Sequence, residues 1–173
     1  MDKPGDLTDE SEATFFKLMS LEDELGVVVR AGAYIDNQLI RLIDECVASP
    51  QAIKRMGLTY ENRIDLAIAL GLDSRFRAPL TALGKIRNTF AHRIDATLGS
   101  SEAHAVYKAL SPDDCSKVHA IYKKLQVRYP SRPKAFINLP PLDRFRLVAV
   151  TLRQILVVAR MQVATARGHS RQT

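Results

Sequence analysis

Apolar side chains recur at intervals of three and four along nearly the whole chain. No segment sustains the every-other-residue alternation, with hairpin turn chemistry, that a half-buried strand requires. That periodicity confines the 173 residues to helices, and a chain of this length holds one core. The expected fold is therefore a single all-α domain, a helical bundle of about six to seven helices. Residues 1–19 form an acidic arm or short helix in this reading, 20–167 the helical domain, and 168–173 a frayed tail.

The helix signals place the elements. A short helix is expected from Thr8 to about Met19, anchored by Phe15, Phe16 and Met19. Ser20 then offers an N-cap, and Leu21, Leu25, Val28, Ile35, Leu39 and Leu42 continue a helical stripe to about Val47. Gly26 and Gly32 each weaken that helix by roughly 1 kcal/mol relative to Ala, which implies that another backbone passes close by. A short helix follows at Pro50–Met56, then Tyr60–Leu70 with Thr59 as cap and Gly71 as the C′ residue. Pro79 marks the first position of a helix reaching His92. Glu102–Leu110 comes next, and Ser111-Pro112-Asp113-Asp114 opens a helix to about Arg128. An irregular crossing bounded by prolines leads to a last helix, Leu142–Ala166. One of its faces is apolar, and the other carries Arg144, Arg146, Arg153 and Arg160, read as a solvated face in preference to a nucleic-acid-binding one.

Charge and composition narrow the function classes. The net charge of +6 hides a gradient: residues 1–25 carry eight acids and two lysines, and the rest is strongly basic. Either an acidic arm folds over a basic body, or the body seeks an acidic partner, or the charges are solvated surface. The run Leu147–Ala166 is interrupted by Arg153 and Arg160, so no membrane span is expected. Met1-Asp2-Lys3-Pro4-Gly5 opens no secretory signal, which makes the cytoplasm the default compartment. Cys46 and Cys115 are too few for a disulfide framework, and His92, His104, His119 and His169 lack ligand spacing. No metal and no cofactor are expected.

One segment concentrates the chemistry: Lys85-Ile86-Arg87-Asn88-Thr89-Phe90-Ala91-His92. Asn88 and His92 are i,i+4 neighbours on one helix face. Arg87 and His92 are five residues apart and point roughly 140° from each other. They converge only if the helix end unwinds or a second copy faces the first. A His works as general acid or base near neutral pH, an Arg fork holds a phosphate, and an Asn orients either. Alternatively, His92 caps the helix end and Arg87 pairs with an acid on the preceding helix, such as Asp65. The nucleic-acid-binding set read from the sequence is Lys85, Arg87, Arg93, Lys123, Lys124 and Arg128. The last three belong to a basic stretch with aromatics, Tyr122 to Lys134, which either tracks a phosphate backbone or flanks a proline loop.

The run Ile64-Asp65-Leu66-Ala67-Ile68-Ala69-Leu70-Gly71-Leu72, followed by Lys85-Ile86-Arg87-Asn88-x-Phe90-Ala91-His92, resembles the signature of the mannitol-operon repressor (MltR-like) family. Its second half is similar to the Arg-x4–6-His motif of the wider HEPN superfamily of all-α, commonly dimeric proteins. The first resemblance implies a regulator of carbohydrate-operon expression acting through other proteins. The second implies a homodimeric, metal-independent ribonuclease. In it His92 assists attack of the ribose 2′-hydroxyl, Arg87 holds the scissile phosphate and Asn88 orients them in a dimer cleft. The helices Tyr60–Leu70 and Pro79–His92 are joined by eight residues rather than a short turn, so no DNA-reading helix-turn-helix is expected.

Overall fold

A computed structural model of the protein describes residues 23–170. Among them are seven α-helices and no strand: α1 (Glu24–Cys46), α2 (Pro50–Arg55), α3 (Tyr60–Ala69), α4 (Arg77–His92), α5 (Ser100–Lys108), α6 (Pro112–Arg128) and α7 (Pro141–Ser170). Two 3₁₀ turns, Ser74–Phe76 and Phe136–Asn138, lead into α4 and α7. The single all-α domain read from the periodicity is the fold. The expected helix Thr8–Met19 lies outside the described residues.

Local chemistry sets most boundaries. The N-cap of α1 is Asp23, three residues beyond the expected Ser20, and its carboxylate accepts from the Gly26 amide at 2.8 Å. Thr59 caps α3 and Ser111 caps α6 as their positions imply. Gly71 (φ +116°) closes α3 in the conformation that suits glycine, with the Leu72 amide donating to the Ala67 carbonyl at 3.0 Å. Helix α4 starts two residues before Pro79, because the preceding 3₁₀ turn already sets its direction. Pro79 therefore sits within the first turn, where its missing N–H leaves no bond unmade.

The most extensive helix pair is α1 with α7, and Ile35, Leu39, Leu42, Phe145, Leu152 and Leu156 bury fully along it. Helices α3 and α4 pack against α1, while α5 and α6 pack against α7. Over Pro141–Ala166, α7 is long and apolar enough to cross a membrane, yet more than half of that stretch is buried against the other helices. Core packing accounts for its composition.

The arginine face of α7 corrects the expectation of a solvated surface. Arg144, Arg153 and Arg160 are only 5%, 9% and 7% exposed. Arg144 donates to Ser100 Oγ at 3.0 Å, Arg160 to Glu45 Oε1 at 3.0 Å, and the Arg153 guanidinium lies 5.8 Å from the Tyr34 ring centroid. Three helices, α1, α5 and α6, pack against α7, so the cations on those sides find partners among neighbouring helices.

Asp114 ties α6 to the turn before α4. Its buried carboxylate accepts from Ser111 Oγ at 2.8 Å and Lys117 Nζ at 2.8 Å, and Arg75 Nε lies 3.3 Å away. Burial works to raise its pKa, but the bonds from Lys117 and Ser111 and the charge of Arg75 outweigh it and hold the pKa below the usual value. Such a group stabilises the fold above its unfolded pKa and loses that stabilisation as pH falls through the folded value. Asp114→Ala should therefore cost about 2 kcal/mol in urea denaturation at pH 7, with the gap to wild type closing below about pH 4. A gap independent of pH would show that the carboxylate's charge is not what holds the turn.

Candidate functional site

The sequence of α4 divides its side chains between two surroundings. Arg87 faces α1 and α3, whereas Lys85 and Arg93 line a cleft of about 1060 Å³ on another side of α4, with Ile86, Phe90 and residues of α5. The nucleic-acid set read from the sequence is thus dispersed. Lys123, Lys124 and Arg128 stand on a different helix, α6.

Arg87 is half-buried in a socket built from three helices. Its Cδ lies where a Cβ on Gly32 of α1 would be only 2.6 Å away, so the glycine makes room for the side chain. The close approach expected at Gly32 is real, but it is a side chain that passes there, not a backbone. Above, the guanidinium carbon sits 5.0 Å from the centroid of the Tyr60 ring of α3, within cation–π range. The ring itself needs Gly84 of α4, where an added Cβ would meet Tyr60 Cε1 at 2.7 Å. Tyr60 Oη donates to the Leu80 carbonyl at 3.1 Å. Burial and then the Asp36 carboxylate push the Tyr60 phenol pKa up, against the smaller opposing pull of Arg87. The phenol stays a neutral donor at physiological pH.

Asp36 closes the socket from α1. Arg63 grips it with two parallel bonds, Nε to Oδ1 and Nη2 to Oδ2, each 2.7 Å, and Arg63 Nη1 also donates to the Leu58 carbonyl. Arg87 Nη1 lies 3.8 Å from Asp36 Oδ2. The acid expected as partner for Arg87, Asp65, pairs instead with Arg77. Arg77 stands at the start of α4 and Arg87 nearly three turns further on, so one acid cannot serve both.

Asn88 and His92 are exposed, and Arg87 Nη2 reaches Asn88 Oδ1 at 3.4 Å. Helix α4 stays regular through His92, where the Arg93 amide donates to the Thr89 carbonyl at 3.0 Å. No unwinding brings His92 round to Arg87. Within one chain the structure joins Arg87 to Asn88 and leaves His92 apart.

Sequence reasoning missed Asp36, Tyr60 and Gly84. The one available signal was Gly32 followed by an acid four residues on, a gap and a charge on one stripe of α1. Compared with known families, curated proteins and solved structures, the chain matches none of them.

The socket has a consequence for substitution. Gly32→Ala gains helix propensity worth about 1 kcal/mol, but its methyl meets an arginine pinned at both Asp36 and Tyr60. The expected result is a loss of about 1 kcal/mol in the wild-type background. In an Arg87→Ala background the same change should become stabilising by about 1 kcal/mol. A double-mutant cycle by urea denaturation measures both, and simple additivity would remove the contact between the two residues.

Proposed function

We propose that the protein is a non-catalytic regulatory and interaction module of the mannitol-operon-repressor kind. In this reading it is a cytoplasmic homodimer that controls carbohydrate-operon expression through a partner protein. The observation that carries this reading is the commitment of Arg87 to the fold. Its guanidinium already has a carboxylate and an aromatic face as partners, so it is a positioning element for α1, α3 and α4. The two segments that resemble the repressor family lie on α3 and α4, two of the three helices that build this socket. Support for pairing comes from Leu25 and Val29, which are 50% and 42% exposed on the stripe of α1 that also carries Gly32 and Asp36, and from fully exposed Ile94.

One observation favours the ribonuclease as a second reading. Asn88 and His92 share an exposed face of α4, and Arg87 reaches Asn88. With α4 regular to its end, that chemistry requires Arg87 of one copy and His92 of another to meet across a two-fold axis.

Purified protein incubated with tRNA or mRNA in EDTA, beside a His92→Ala variant, separates the two. The expected result is no cleavage by either protein. Cleavage by wild type that the variant lacks would replace the regulatory reading with the nuclease. Light scattering at micromolar concentration should give about twice the chain mass of 19.3 kDa, falling to one chain mass in Leu25→Glu/Val29→Glu. A wild-type mass of one chain would remove the homodimer.

A further inference from the structure

Between Asp114 and Asp143 the chain carries six Lys and Arg residues and no acid at all. Lys117, the first of them, pairs with Asp114. The remaining five, Lys123, Lys124, Arg128, Arg132 and Lys134, form no ion pair in the described structure. The arginines that line the helix contacts are different, since Arg63, Arg75, Arg77, Arg87, Arg93 and Arg160 each have a carboxylate. The end of α6 and the crossing after it therefore group five cations that no carboxylate among the described residues neutralises.

This patch also has a built cleft. A cavity of about 430 Å³ lies between α5, α6 and the crossing, with Lys123 and Lys134 at its rim and Tyr107, His119, Tyr122 and Phe136 among its walls. Phe136 is the hub of the rings: its centroid is 5.1 Å from Tyr107, 5.5 Å from His119 and 5.9 Å from Tyr122. Tyr107 Oη and His119 Nε2 share a hydrogen bond of 2.8 Å. The crossing is pinned to α6, because Tyr122 Oη and Gln126 Nε2 donate to the Pro133 carbonyl at 2.6 and 2.7 Å, and Gln126 Nε2 also donates to the Lys134 carbonyl at 2.9 Å. Beside it, the guanidiniums of Arg128 and Arg132 stack on Tyr129 at 5.7 and 5.5 Å from its centroid. Both arginines are thereby ordered without being neutralised.

We propose that this face binds single-stranded nucleic acid, with phosphates along Lys123, Lys124, Arg128 and Lys134 and a base in the cleft beside His119 and Phe136. Each half of the site asks for a different part of that ligand. Unpaired cations attract phosphates by counterion release, and an aromatic-walled cleft takes a flat base by stacking. The cleft volume lies within the usual range for small-ligand sites. An acidic peptide would use the cations and leave the exposed His119 ring at the cleft without a flat partner. The reading goes beyond the proposed function and does not depend on what Arg87 or His92 does.

The test is fluorescence anisotropy of full-length protein with labelled oligo-uridylate, the same oligomer made abasic, and a polyglutamate peptide, across a salt series. Wild type should bind the base-bearing oligomer at low salt and bind the abasic one and polyglutamate at least tenfold more weakly. Lys123→Gln/Lys124→Gln/Arg128→Gln should weaken binding at least tenfold and reduce the slope of log affinity against log salt by about two. Lys54→Gln, a cation paired with Asp44 on α1, should change neither. Circular dichroism melts of both variants confirm that they fold. No binding by wild type, or an unchanged triple variant, would overturn the surface. Equal affinity for the abasic oligomer would overturn the cleft, and equal affinity for polyglutamate would overturn nucleic acid as the ligand.

Discussion

The Asp36 carboxylate decides how three helices meet. It projects from the middle of α1 into a partly desolvated space, where an uncompensated charge would cost several kcal/mol. The Arg63 fork from α3 supplies two short, parallel charge-assisted bonds, and the Arg87 guanidinium from α4 adds a second positive charge. Arg63 takes both oxygens and Arg87 lies against Oδ2 alone, so this one carboxylate ties α3 and α4 to α1. The glycines complete the constraint. Without Gly32 the Arg87 stem has no channel, and without Gly84 the Tyr60 ring has no seat. Charge sets the orientation and missing side chains set the distance.

The same principle governs the basic excess of the whole chain. A net charge of +6 says little by itself, because most of the arginines near helix contacts are bound to carboxylates or rings inside the domain. On α7 this goes furthest. A row that looks like a solvated cationic face is folded inward, since α1, α5 and α6 all pack on that helix. The acid-free stretch at the end of α6 is different, since its five cations after Lys117 meet no carboxylate among the described residues.

Much of the fold is legible residue by residue. Thr59, Ser111, Pro112 and Gly71 act locally, through bonds and backbone angles within one turn, and they mark helix ends where their chemistry implies. The cap of α1 is Asp23 rather than Ser20: both residue types cap well, and it is the Asp23 carboxylate that accepts from the Gly26 amide. The candidate site was legible as a motif and not as an arrangement. Arg87, Asn88 and His92 are visible in the sequence, but the partner of Arg87 is 51 residues away on α1, and nothing in the spacing of α4 names it. Lys85 and Arg93 line one cleft, while Arg87, within the same nine residues, faces α1 and α3, because a helix turns 100° at each residue.

By itself, then, the sequence determined the helical class, the helix ends and the local chemistry of each segment, since periodicity and capping act over a few residues. Tertiary structure alone decided which cations are consumed and which are presented. Pairing a charge depends on what another helix brings within 4 Å, and that distance is set by the packing of α1, α3, α4 and α7 rather than by any neighbour in the chain.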